Sequence, residues 1–181
     1  MGRRYKAIAI ISAAFLALGG SAFAADGDGG TSTVTAVVAL ATGERFVSAA
    51  PPVTLLLDPG TSNMTGELIL GVTELARTGT AEWSLQAELA DDLSDGGDNS
   101  IAASQLSMDT GTTEAVGGGG TITSGSDGTL DAAVTVFTNT GQLTTLAYTG
   151  VYASATTLSL EIPNLQPTGT YTGNISITLV Q

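Results

Sequence analysis

Two stretches of this chain alternate between apolar and polar residues one position at a time, and only an extended strand can bury such a pattern on one side. Within Thr80–Ala90, Trp83, Leu85, Ala87 and Leu89 share one face, opposite Glu82, Ser84, Gln86 and Glu88. Near the end of the chain, Tyr171, Gly173, Ile175, Ile177 and Leu179 alternate in the same way with Thr172, Asn174, Ser176 and Thr178. Both segments are expected to line a core. Further strands are expected at Thr33–Leu40, Val53–Leu57, Met64–Leu75, Leu130–Thr138, Leu143–Tyr148 and Thr157–Ile162, where Val, Ile, Leu and Thr run between Gly, Pro, Asp and Asn clusters. Short strands at this spacing predict an all-β fold, an antiparallel β-sandwich of Ig-like or Greek-key type. No segment carries the pattern of a helix of three turns. Asp91–Ser100 and Thr110–Gly128 read as loops, the second mobile because it contains Gly117–Gly120 and has little to bury.

The first residues have a different character. Arg3, Arg4 and Lys6 precede a 12-residue apolar run, Ala7 to Leu18, and then small residues ending Ala22-Phe23-Ala24. This is the layout of a secretory signal peptide, and the run falls short of the about 20 apolar residues of a membrane span. Cleavage after Ala24 is expected, leaving residues 25–30, Asp- and Gly-rich, as a flexible tether before one domain over 31–181. The last residues read as a strand, so neither a C-terminal membrane anchor nor a covalent sorting signal is expected.

Charge narrows the partners. All 17 acidic residues follow Ala24, whereas only Arg45 and Arg77 of the five basic residues do, so the exported part would carry a net charge of −15. Nucleic acid and anionic lipid should repel it. With no Cys, stability must come from packing and strand pairing alone. The chain has no His, and its single Lys is Lys6, which removes His-based triads, Cys nucleophiles, Ser-Lys dyads and His-ligated zinc. The candidate carboxylates for a hydrolytic pair cluster in loops without an aromatic-lined cleft, and no enzymatic activity is expected. No cofactor is expected either, except that Asp91, Asp92, Asp95 and Asp98 offer calcium the hard oxygen ligands it takes. Their spacing is not that of an EF-hand, and the alternative is a solvated acidic loop. Any calcium affinity would fall at about 10⁻⁴–10⁻³ M, since the loop has no device to fix its ligands.

Trp83-Ser84-Leu85 and the stretch Tyr171 to Leu179 together resemble the two motifs of the WxL domain, a bacterial surface domain that associates non-covalently with the cell wall. In that family the first motif is Trp-x-Leu and the second is a terminal strand of the form Tyr-x-x-x-Ile-x-Trp-x-Leu. Tyr171, Ile175 and Leu179 match the second motif, while Ile177 stands where its Trp belongs. The turn from Pro163 to Gly169 that precedes the strand is also similar. The resemblance implies a cell-surface location and binding residues at Trp83, Leu85, Tyr171, Ile175, Ile177 and Leu179. The same residues are also what the core faces of neighbouring strands require, and Ile177 cannot donate the hydrogen bond of an indole.

Two functions are therefore expected to compete. The first is a secreted, non-enzymatic module bound to a cell-wall polymer or to other exported surface proteins. The second is a subunit of a pilus-like or coat-like polymer assembled by β-strand pairing. Both need export, so the exported protein should begin at Ala25, and an intact mass that retains residues 1–24 would overturn the signal-peptide reading.

Overall fold

The computed structural model describes residues 31–38, 45–49, 52–57, 60–77, 82–141 and 148–180. The signal segment, the tether and, but for Tyr148, the strand expected at Leu143–Tyr148 lie outside these residues. In chain order the strands are β1 (Thr31–Val38), β2 (Arg45–Ala49), β3 (Val53–Leu57), β4 (Asn63–Arg77), β5 (Trp83–Leu89), β6 (Leu93–Ser94) and β7 (Ser100–Ile101). A single 3₁₀ turn, Ala103–Gln105, then leads to β8 (Leu106–Asp109), β9 (Thr113–Gly117), β10 (Thr121–Ser124), β11 (Gly128–Thr129), β12 (Val134–Thr140), β13 (Tyr148–Glu161) and β14 (Thr172–Val180).

Hydrogen-bonded neighbours run in the order β10-β12-β5-β14-β1-β3-β4-β13-β8-β11, and this path folds into two packed sheets, an all-β sandwich. Among the described residues pairing is antiparallel except between β1 and β14, which run parallel from Thr33↔Thr172 to Val38↔Ile177. β1 also pairs with β3, so the path continues from β14 to β4 through β1 and β3.

The alternating segments behave as their pattern requires. On β5, Trp83, Leu85, Ala87 and Leu89 are buried, and on β14 Ile175 and Ile177 are buried beside them. Across the layer they meet Leu68, Leu70 and Val72 of β4 and Tyr152, Leu158 and Leu160 of β13, within one continuous apolar core. Each such side chain contributes about 1.5–3 kcal/mol when taken fully from water. In a chain without cysteine this seam carries the cohesion of the fold.

Several expectations need correction. The segment Thr110–Gly128, expected as a mobile loop, holds β9, β10 and β11, and Asp91–Ser100 holds β6, with Leu93 fully buried. β13 begins at Tyr148, well before Thr157, because its ladder with β4 continues through the small residues Ala153, Ser154 and Ala155. β12 begins at Val134 and not at Leu130. Leu130 is a buried plug at the turn, where its N–H donates to the Leu106 carbonyl at 2.8 Å and its own carbonyl accepts from Leu89 N at 2.8 Å.

β12 also departs from strict alternation. Its register with β5 shifts between Thr135 and Phe137, so Val136 and Phe137 are both buried and every later residue changes face. The bulge is fastened by Gly125, whose N–H donates to the Val136 carbonyl at 2.8 Å. A Cβ at Gly125 would overlap the Thr135 carbonyl oxygen. Gly125→Ala should therefore lower stability by about 1–3 kcal/mol through forced backbone displacement, and an unchanged urea midpoint would show that the contact is not needed.

Candidate functional site

The residues singled out by the sequence sit on two neighbouring strands. β5 and β14 pair antiparallel with Leu85 opposite Leu179, Ala87 opposite Ile177 and Leu89 opposite Ile175. The structure thus brings Leu85, Ile175, Ile177 and Leu179 into adjacent rows. Trp83 and Tyr171 lie at opposite ends of this ribbon.

At the Tyr171 end the phenol is buried and donates to the Pro167 carbonyl at 2.8 Å, while Gln166 Nε2 donates to the phenol oxygen at 2.8 Å and to the Ser100 carbonyl at 3.1 Å. Tyr171 thereby pins the turn that feeds β14. The acidic loop adjoins it. Asp95 Oδ1 accepts from Gly97 N at 2.8 Å and Asn99 N at 3.3 Å, and its Oδ2 accepts from Asn99 Nδ2 at 2.7 Å. The Asn99 amide, followed by the Gly97 N–H, holds the Asp95 carboxyl below its ordinary range. Asp92 Oδ1 accepts from Ala103 N at 2.9 Å, and Asp91 and Asp98 are exposed. Asp92 and Asp95 are thus engaged in shaping their own loop. Among the described residues no three of His, Cys, Asp and Glu lie close enough to hold a metal ion.

The Trp83 end holds a polar cluster that the sequence reading did not anticipate. Trp83 is only 3% exposed. Its ring meets Phe137 and Tyr152 edge-on, with centroids 5.7 Å and 5.3 Å apart, and the Arg45 guanidinium lies 5.4 Å from its centroid. Arg45 and Glu74, both fully buried, face each other across β2 and β4, with Arg45 Nε donating to Glu74 Oε1 at 2.6 Å. The Tyr152 hydroxyl donates to Glu74 Oε2 at 3.0 Å. Both carboxylate oxygens are therefore engaged.

Over this cluster lies the glycine turn between β9 and β10. Gly119 N–H donates to the Tyr152 hydroxyl at 3.2 Å, and Asn139 Nδ2 donates to the Gly119 carbonyl at 3.0 Å. A Cβ on Gly118 would overlap that hydroxyl, so the backbone can approach the phenol only as glycine. Asn139 reaches the cluster because the β12 bulge turns it inward, opposite Trp83. Trp83 Nε1 and Asn139 Oδ1 are buried with no hydrogen-bond partner among the described residues.

A sequence signal for the cluster did exist. Glu74 falls on the same parity as Leu68, Leu70 and Val72, and Arg45 on the parity of Val47, so each charge interrupts a core face. Asn139 had no such signal, since the bulge that redirects it is not written in the alternation. Chemically the cluster is a neutralised ion pair walled by aromatic rings. It holds the ends of β2, β4, β5 and β13 in one arrangement and leaves no open face on the indole.

Burial, then the hydrogen bond to Glu74 and the charge of Glu74, push the Tyr152 hydroxyl above its usual value near 10. The folded state thus favours the neutral phenol. This contribution is complete below pH 10 and is lost as pH rises from there through the folded pKa, a slope that Tyr152→Phe should remove. Glu74→Gln should cost about 3–5 kcal/mol by leaving a buried guanidinium without its counter-charge, whereas the double replacement Arg45→Met with Glu74→Leu should recover most of that loss. A single variant as stable as the parent in urea would show that the pair does not hold these strands.

No protein-family model, characterised protein or solved structure matches this chain, so the meaning of both sites rests on their own residues.

Proposed function

We propose that the protein is an exported, non-enzymatic surface module of WxL type that associates non-covalently with a cell-wall polymer or with other surface proteins. The observation that carries this reading is the pairing of β5 with β14, which sets the two motif segments side by side with Leu85 opposite Leu179. Two motifs far apart in sequence then form one structural ribbon. The signal-like N-terminus also supports a role outside the cell. Among the described residues no helix is long and apolar enough to cross a membrane.

The burial of Trp83 bears on how such a module would attach. Its ring is enclosed by Phe137, Tyr152 and Arg45, so association would run over the outer surfaces of the sandwich while Trp83 supports them from within. Simple ion pairing to a phosphate-bearing wall is disfavoured at a net charge of −15. Neutral hydrogen bonding, apolar contact or a bridging divalent cation remains.

The polymer-subunit reading draws on one feature, a strand path that ends at β10 and β11, where a further strand would have to add. Co-sedimentation of the protein with purified bacterial walls separates the two readings. The module should pellet with walls and stay soluble without them, and Trp83→Phe should pellet equally well because the indole is internal. Filaments that grow with concentration in the absence of walls would favour the polymer. A protein that neither pellets nor assembles would overturn both.

A further inference from the structure

The outer face of the sheet formed by β2, β4, β13 and β9 carries an apolar row that the core does not use. Phe46, Thr73, Val151 and Val116 are successive cross-strand partners, and exposure of the three large apolar members runs from 39% at Phe46 to 76% at Val116. The next row, Ser48, Gly71, Ala153 and Glu114, is small except at its end, and beyond it Ile69, 47% exposed, pairs with Ala155. Small residues between larger ones make a trough.

The trough deepens where β13 changes partner. β9 pairs with it at Gly150–Ser154 and β8 at Thr157–Leu160, and between them residues 110–112 leave the ladder. The resulting concavity is lined by Ile69, Thr112, Glu114, Ala153 and Ala155. It is apolar on its floor and ends in a carboxylate. The following row adds Glu67 and Asp109, joined through Thr157. Arg45 is buried in the core.

From this geometry we infer that the groove is a docking site for a protein segment that sets an apolar side chain beside a Lys or Arg. The apolar side chain fills the notch against Ile69, Ala153 and Ala155, and the cation reaches Glu114, with Glu67 and Asp109 behind it. Charge complementarity selects this occupant. A second copy of the chain would bring carboxylates against carboxylates and add another −12 of net charge to the complex. The inference rests on the association reading above and narrows its partner to a basic, partly apolar protein surface.

The test titrates the ¹⁵N-labelled full chain with the peptide acetyl-Lys-Leu-Lys-Leu-Lys-amide and, in parallel, with acetyl-Glu-Leu-Glu-Leu-Glu-amide. The basic peptide should shift the amides of Ile69, Gly71, Glu114, Ala153 and Ala155, and the acidic peptide should not. Ile69→Lys and Glu114→Lys should each weaken the basic peptide by about tenfold or more, with dispersed spectra showing that both remain folded. Glu114 lies on an exposed strand, so that variant carries the test if Ile69→Lys fails to fold. Shifts centred on Asp91–Asp98, or equal affinity in the folded variants, would overturn the inference. So would a concentration-dependent dimer in sedimentation equilibrium that Ile69→Lys abolishes, since the occupant would then be a second copy. Wall co-sedimentation of the parent chain, run alongside, reads the association proposal separately from binding at the groove.

Discussion

A carboxylate fully removed from water at Glu74 tolerates very few arrangements of its neighbours. One oxygen is met by Arg45 and the other by Tyr152, and these three side chains come from β2, β4 and β13. Arg45 in turn lies over Trp83 on β5, in the opposite sheet. Apolar burial drives the two layers together, but burial is indifferent to sliding by a residue pair, and a desolvated ion pair is not. The aromatic walls and the glycine turn exclude solvent from the pair, and the pair fixes where those walls must stand. Each half of this arrangement depends on the other.

The same cluster shows where a sequence can be read and where it cannot. Strands β5 and β14 were plain because a two-residue period on a half-buried strand leaves no other interpretation, and β3 agreed to the residue with its expected span. The pattern marks only the end of β13, since its middle is built from Ala, Ser and Thr, whose burial comes from a partner strand and not from their own hydrophobicity. β9 and β10 leave no mark in the pattern because their residues are largely exposed and their order comes from edge pairing with β13 and β12. At the Trp83 end, the charges on core parity at positions 45 and 74 were available to a reader of the pattern. The inward turn of Asn139 was not, because it follows from one extra residue in β12 that only pairing reveals.

Seen as a surface, the protein is divided in its chemistry. The Arg45 cation is spent inside, and the loops expose carboxylates, some of which, such as Asp95, are occupied in shaping their own turns. What is left for contact is a weakly polar sheet face edged by negative charge. A surface of this kind selects partners by what they lack as much as by what they offer, since polyanions are turned away before any close contact forms. The buried tryptophan and the proposed docking face would therefore have separate roles, one internal and one directed outward.

The parallel pairing of β1 with β14 has a mechanical consequence. Because the two strands run in the same direction, the beginning of β1 and the end of β14 lie at opposite ends of the ribbon they form, from Thr33↔Thr172 to Val38↔Ile177. Tension applied between those points acts along the strands. It loads the rungs of that ladder together in shear, whereas a hairpin pulled from its open end would peel one rung at a time. A sandwich built this way resists a pull on those two points through the geometry of β1 and β14, with no covalent cross-link required.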